Sequence, residues 1–294
     1  MKVRTLKQNL FLLITHSLIL PAILFLNSCD VINPAEPVPT YIQLDSTSLS
    51  TNYVDEGSNL SSFVDAWIYV DGNYLGTYEY PFTVPVIGEG QHKISVRAGI
   101  LKNGISGSRA AYPKTSTFDT LFSLQPNQTN IIKPTVKYLD GIVFAQMEDF
   151  DDGSLTLVPT GSNAATLNIT SANDPNALEG NSGHITLDSS HPDFEFASSS
   201  AFYLPITTES YVELNYKCTQ EFSLGVFVTT ISGVVQTSVL NLRPTSTWKK
   251  VYVNLNEGEA IFNNALEYKI YLKSSLVSGS ATADIYLDNL KVLY

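Results

Sequence analysis

The chain has 294 residues and a formal net charge of −11, from 28 acidic and 17 basic side chains. An acidic chain without basic runs argues against binding to nucleic acid and against electrostatic adhesion to anionic lipid. Its length favours two domains.

The first 28 residues have the organisation of a secretory signal peptide. Three cations precede an apolar run over residues 10–26, which ends in Leu26-Asn27-Ser28-Cys29. An uncleaved membrane anchor is the alternative interpretation. However, the run is short for a full span and is interrupted by His16 and Pro21. Cleavage before Cys29 is therefore the preferred prediction.

Leu26-Asn27-Ser28-Cys29 resembles the lipobox of bacterial lipoproteins, and the composition is similar to that of Bacteroidetes members. The resemblance implies that the Cys29 thiol receives a diacylglycerol, that the preceding peptide bond is cut, and that the new amino group is acylated. More than one acyl chain is usually needed for a stable anchor. We therefore expect a protein of the cell envelope, in the outer membrane, with the lipid bilayer as a partner.

Residues 29–40 contain three prolines and no periodic apolar pattern, which predicts an extended tether or simple disorder. If Cys29 is lipidated, Cys218 is the remaining cysteine and no intramolecular disulfide can form. Cys218 lies in an alternating strand pattern, where a free cysteine is more often a small buried hydrophobe than a nucleophile.

Residues 41–137 show apolar residues at period two, separated by turn residues, which indicates an all-β chain. The clearest element is a hairpin over residues 66–78, whose turn contains Asp71-Gly72. Residues 82–86 and 92–97 are further predicted strands, joined by a glycine-rich turn.

The glycine and proline positions of this region resemble the PEGA domain, a small β-sandwich of bacterial envelope proteins. The matching residues are Val70-Asp71-Gly72, Gly76, Pro81, residues 88–96 and Gly99. Residues 100–113 and a predicted strand over 118–124 extend beyond that unit. We therefore expect a PEGA-like or immunoglobulin-like sandwich over residues 41–137. The resemblance implies an interaction or spacer module without catalytic groups.

Residues 138–294 form the second predicted domain, which opens on the acidic segment Glu148-Asp149-Phe150-Asp151-Asp152 and closes on a strand containing Asp288. The strand order over residues 141–294 resembles the galactose-binding-like jelly roll of many carbohydrate-binding modules. Trp248 and Asp288 match the late Trp-x-x-V element and the final-strand Asp of those modules. The resemblance implies a jelly-roll β-sandwich and specifies fold better than ligand.

Carboxylates beside a glycine can supply the oxygen ligands that calcium requires. In the modules that this region resembles, the first and last strands lie together. The resemblance therefore implies a structural calcium held by Glu148, Asp288 and carbonyl groups around Gly180 and Asn181. The alternative is a solvated acidic turn, because the spacing is not that of an EF-hand.

The sequence contains no motif of a hydrolase, an ATP-binding loop or a zinc site, and the histidines lack metal-ligand spacing. We therefore expect no catalysis, although a glycosidase with two facing carboxylates is a third possibility. The first hypothesis is binding of a polysaccharide, with Tyr203, Tyr216 and Tyr271 as candidate ligand residues. The second is an accessory lipoprotein that recruits envelope proteins. Trp67 and Trp248 are expected in the core.

Overall fold

The computed structural model describes residues 36–161, 165–257 and 261–294. The predicted signal peptide, Cys29 and residues 30–35 of the tether lie outside these ranges. Within them, no helix has the length and apolar character needed to cross a membrane. The chain is nearly all β, which confirms the predicted fold class.

Residues 40–137 contain ten strands and one short helix, α1 (Tyr53–Glu56). The strands are β1 (Thr40–Leu44), β2 (Ser48–Ser50), β3 (Asp65–Val70), β4 (Asn73–Glu79), β5 (Phe82–Val86), β6 (Gly90–Leu101), β7 (Arg109–Ala111), β8 (Phe118–Leu124), β9 (Thr129–Ile132) and β10 (Thr135–Lys137).

The first sandwich packs a five-stranded sheet, with β4, β3, β6 and β7 in order and β8 also paired to β6, against a three-stranded sheet in the order β5, β1, β9. Ile42, Ile68 and Ile94 are buried between them. The β3–β4 hairpin is confirmed, and both turn residues, Asp71 and Gly72, have positive φ angles, as its tight turn requires.

Residues 144–293 contain eleven strands. They are β11 (Phe144–Glu148), β12 (Leu157–Pro159), β13 (Leu167–Ile169), β14 (Gly183–Asp188), β15 (Asp193–Ser198), β16 (Tyr211–Cys218), β17 (Phe222–Thr230), β18 (Gly233–Leu242), β19 (Thr245–Asn254), β20 (Ala265–Ser275) and β21 (Thr282–Leu293).

These strands form a jelly roll of two facing sheets. The six-stranded sheet runs β13, β14, β21, β16, β19, with β11 paired to the other part of β21, and the five-stranded sheet runs β12, β15, β20, β17, β18. Alternate residues of both sheets, among them Ile185, Leu214 and Ile270, fill the core between them. The first and last strands, β11 and β21, are neighbours, as the resemblance implied.

Cys218 is buried in this core, and burial raises the pKa of its thiol to about 11, as expected for an inert hydrophobe. Both tryptophans contradict their prediction. Trp67 and Trp248 are only half-buried and lie on strand faces opposite to the cores, because Ile68, one residue after Trp67, and Val251, three residues after Trp248, occupy inward positions.

The two sandwiches meet across the outer face of the six-stranded sheet. Tyr112 of the first sandwich contacts Tyr211 and Tyr252 of the second, with ring centroids 5.3 and 4.9 Å apart. A backbone hydrogen bond from Asn103 to Tyr252 (2.9 Å) joins the two chain segments directly. A third apolar cluster, which includes Leu49 and Leu293, lies around these rings. One face of the jelly roll is therefore partly covered by the first sandwich.

Candidate functional site

The uncovered sheet of the jelly roll carries a groove at one end of its outer face. We call it the sheet groove. Its volume is about 540 Å³, within the range of ligand sites, and it lies where β15, β20 and β17 run side by side. Its lining is dominated by polar side chains, of which the principal ones are Asp193, Glu195, Glu221, Ser223 and Lys273. Hydrogen-bond donors and acceptors therefore share one surface.

Beside the sheet groove, the ring of Tyr271 lies unusually close to the backbone of β17. A Cβ atom at Gly225 would lie 2.4 Å from the Tyr271 ring, so only glycine allows the ring to lie there. Phe227 also contacts this ring, with centroids 5.0 Å apart. The partly buried Phe227 ring is thereby held on the outer face by Tyr271.

Glu195 is the centre of the polar network on this face. Its carboxylate accepts hydrogen bonds from Thr160 Oγ1 (2.5 Å) and Gln236 Nε2 (2.7 Å), and Lys273 Nζ is 4.0 Å away. Gln236 and Glu195 lie on β18 and β15, which are separated by two strands, or about 14 Å on a flat sheet. Their contact therefore requires a concave face.

The three predicted ligand tyrosines do not form one surface. Tyr203 is 57% exposed and lies next to the bridge between Phe202 and Tyr268. Tyr216 lies in the core between the sheets, packed edge-on against Phe222, which removes it from the candidate ligand residues. Tyr271 is on the outer face but only 1% exposed, with Lys273 Nζ 5.2 Å from its ring centroid. It supports the face rather than presenting its ring.

The predicted calcium ligands lie in separate hydrogen-bond networks. Glu148 accepts hydrogen bonds from Phe150 N (3.0 Å) and from Thr156 N and Oγ1 (2.5 and 2.9 Å). Asp288 instead accepts them from Ser182 Oγ and Asn289 N, both at 2.7 Å. Glu148 pairs with Leu290, which faces the core, whereas Asp288 is next to the inward Leu287 and faces the opposite side.

Asp288 has the stronger need for a counter-charge. It is 0% exposed, and burial raises the pKa of its carboxyl to about 7, with Asp151 contributing in the same direction. Asp151 in turn accepts a hydrogen bond from Asn181 N (2.7 Å). Across the described ranges, no group of three or more His, Cys, Asp or Glu side chains could hold a metal. The residues therefore fit one calcium ion shared by Glu148 and Asp288 poorly.

Sequence reasoning missed Lys273 and Glu195 as groove residues and Gln236 as a hydrogen-bond partner of Glu195. Lys273 and Glu195 occupy outward positions of alternating strands, and that alternation was a usable signal. Nothing in the sequence, however, indicated that β15 and β20 are neighbours or that Gln236 reaches across the face. Long-range strand pairing sets both contacts.

No protein-family model matches the sequence, and no curated protein matches it by sequence comparison. The fold resembles solved carbohydrate-binding modules. The family 11 module of the cellulosomal cellulase Lic26A-Cel5E of Clostridium thermocellum is 12% identical, with a TM-score of 0.35 over 50% of this chain and 92% of that chain. The CBM22-2 xylan-binding domain of Paenibacillus barcinonensis Xyn10C is 14% identical, with a TM-score of 0.37 over 50% of this chain and 98% of that chain.

An exo-beta-agarase also matches, at 13% identity and a TM-score of 0.38, over 52% of this chain and 25% of that chain. At these identities and scores, no residue role passes from these proteins to this chain. The role of the sheet groove therefore depends on its own geometry.

Proposed function

We propose that this protein is a non-catalytic, lipid-anchored envelope protein that binds a polysaccharide in the sheet groove. The observation that carries the proposal is an open polar groove on a concave sheet face that also carries the partly buried ring of Phe227. Sugars present hydroxyl groups around their edges and apolar faces above and below the ring. Donors, acceptors and an aromatic side chain on one surface match both features.

Saccharide binding should depend on Lys273, because its ammonium group lies between Glu195 and the Tyr271 ring. We expect Lys273→Ala to weaken binding about tenfold, equivalent to about 1.4 kcal/mol for one lost charged hydrogen bond. The measurement is affinity electrophoresis of the full chain, purified in a detergent without a sugar headgroup, through gels that contain xylan, mixed-linked glucan, galactan or agarose.

Lys93→Ala is the matched control, since Lys93 forms an exposed ion pair with Asp119 on the first sandwich (2.9 Å). If Lys273→Ala and Lys93→Ala changed the retardation of the protein in these gels equally, the result would contradict a binding site in the sheet groove. Release of reducing ends from the polysaccharide would show that the protein is a hydrolase and not only a binding protein. Asp193, Glu195 and Glu221, which all line the groove, would then be the candidate catalytic carboxylates.

A second candidate function is the recruitment of envelope proteins. Its support is the tip of the β17–β18 hairpin, where Ile231 is 86% exposed and Val234 and Val235 are also exposed. β18 is an edge strand of its sheet, and edge strands with apolar side chains are typical sites of strand addition. Absence of retardation in every polysaccharide gel would favour this candidate.

The lipid anchor rests on Cys29, and we expect Cys29→Ser to abolish incorporation of a labelled fatty acid, because without the thiol no diacylglycerol can be added. The measurement is the label carried by the full chain after expression in the presence of that fatty acid. Cys218→Ser is the control, because its thiol is buried. Equal labelling of both variants would contradict the anchor.

Although Glu148 and Asp288 do not fit one shared ion, a structural calcium at Asp288 alone remains part of the proposal, because this buried carboxylate forms no ion pair within the described ranges. We expect calcium at 100 times its Kd to raise the free energy of unfolding by about 2.7 kcal/mol, and Asp288→Asn to remove the effect. Thermal melting with calcium and with chelator measures this. Asp188→Asn, in an exposed turn with His191, is the control. Equal melting temperatures with calcium and chelator would rule out the metal.

A further inference from the structure

A second cavity lies where the two sandwiches meet, at the edge of the six-stranded sheet. We call it the junction cleft. Its volume is about 490 Å³, enough for a small ligand. Leu60, Ser62 and Leu101 form one wall, and Asn215 and Trp248 belong to the opposite wall. The cleft and the sheet groove open on different sheets of the jelly roll.

Asn215 lines the junction cleft and has an unused hydrogen-bonding atom. The residue is only 6% exposed, and its Oδ1 atom has no hydrogen-bond partner among the described residues. An unsatisfied buried acceptor costs about 1–3 kcal/mol of stability. The side chain faces the outer side of β16, next to the buried Asp288 of β21. A ligand hydroxyl would satisfy Asn215 whichever way its amide is oriented, because a hydroxyl both donates and accepts.

The charges around the cleft are already balanced. Lys250, which also lines it, forms a buried ion pair with Glu213 at 2.6 Å. Lys249 carries its charge at an exposed position of the same strand. An anionic ligand would therefore find no uncompensated buried cation to pair with. The inner part of the cleft suits a neutral ligand.

Trp248 supplies a fixed aromatic wall. Its indole Nε1 donates a hydrogen bond to the backbone carbonyl of Asn176 (3.0 Å), and Lys217 Nζ lies 5.6 Å from the ring centroid. These contacts orient the half-buried ring at little further entropic cost on binding. Leu60, Leu101 and Leu178 add apolar surface nearby. The cleft thus combines a flat ring, aliphatic side chains and a single unsatisfied polar group.

We propose that the junction cleft is a separate binding site for a short neutral saccharide, with a hydroxyl group on Asn215 and a sugar face against Trp248. It goes beyond polysaccharide binding in the sheet groove, because no residue is shared between the two cavities. The ligand would contact both sandwiches at once. Binding there stabilises their relative position.

The test uses the emission of Trp248 in a Trp67→Phe background, since the chain has only two tryptophans. The full chain, in a detergent without a sugar headgroup, is titrated with cellobiose, xylobiose, maltose and lactose. We expect a saturable change with at least one disaccharide. We also expect Asn215→Leu to weaken that binding about tenfold, and Lys273→Ala to leave it unchanged.

Thermal melting separates a ligand-binding role of Asn215 from a structural one. Asn215→Leu removes an unpartnered acceptor at similar volume, so the free variant should melt at or above the parent temperature. If Asn215→Leu melted below the parent temperature, the amide would support the fold, and the proposal would be overturned. Asn215→Ala, which also removes the amide, is melted as a second check. The absence of any saturable change, or binding that survives Asn215→Leu unaltered, would also overturn it.

Discussion

Glu213→Leu is expected to lower the free energy of unfolding by about 3–5 kcal/mol, the cost of removing one partner from a buried charge cluster. Glu213 is fully buried between the sandwiches. It pairs with Lys250, and accepts hydrogen bonds from Tyr112 of the first sandwich (2.7 Å) and from Tyr138 of the segment between the two sandwiches (3.0 Å). The substitution leaves the ammonium groups of Lys250 and Lys291 without their counter-charge.

The charge of Glu213 is itself maintained by its neighbours. Burial alone would raise the pKa of its carboxyl, but the ammonium groups of Lys250 and Lys291 outweigh burial and hold the pKa below its usual value. The carboxylate therefore stays ionised, and its two tyrosine donors remain oriented towards it. This one residue joins the sheet of the second sandwich to side chains of the first.

Chemical denaturation of the full chain measures the effect, and Asp119→Asn is the control. Asp119 forms an exposed ion pair with Lys93, for which a loss of about 1 kcal/mol or less is expected. Adding Lys250→Met to Glu213→Leu should recover part of the loss, because apolar replacement of a whole buried pair is often neutral. A loss below about 1 kcal/mol for Glu213→Leu would contradict a supporting role for this cluster.

The titration of Lys291 should contribute about 2 kcal/mol of stability when the pH rises from 7.5 to 9.5, measured as the difference from Lys291→Met. Burial, aided by Lys250, lowers the pKa of this ammonium group from 10.5 to about 8, although Glu213 acts in the opposite direction. Below pH 8 both the folded and unfolded states are protonated, and the cost of burying the charge is fully present. Between pH 8 and 10.5 the unfolded state holds more protons, so stability rises with pH.

The window stops at pH 9.5 because the buried tyrosines oppose this effect at higher pH. Burial raises the pKa of Tyr112 and Tyr252 well above 10, so deprotonation of these residues in the unfolded state favours unfolding above that pH. Lys291→Met is the matched variant, since it keeps the apolar stem and removes the ionisable group. Chemical denaturation of the parent protein and of Lys291→Met at pH 7.5 and 9.5 isolates the contribution of Lys291 to the pH dependence of stability. An unchanged pH slope in Lys291→Met would show that other groups produce it.

Local patterns in the sequence were sufficient for the elements of the fold. The alternation of apolar residues indicated the strands, and the Asp71-Gly72 turn indicated the β3–β4 hairpin, because both depend on residues that are close in the chain. The resemblance over residues 141–294 correctly implied a jelly roll with its first and last strands paired. It did not distinguish which face each side chain would occupy.

Errors arose where two alternating faces were both apolar. Trp248 has the aromatic character of a core residue, yet Val251 and Val253 occupy the inward positions of β19. Tyr216 shows the reverse error, since it was assigned to a ligand face and lies in the core. A shift of one residue moves a side chain to the other face of a strand, so composition cannot settle such cases.

The acidic charge, the lipobox-like segment, the all-β class and most strand positions could be predicted from the amino-acid sequence, because they are properties of composition and of short repeats. The tertiary structure alone decided which side chains meet. Glu195 and Gln236 are brought together by a concave sheet, and Glu213 meets Tyr112 and Tyr138 only when the sandwiches dock. The two residues of each contact are separated in the sequence by 41, 101 and 75 positions respectively, and no local pattern encodes such a separation.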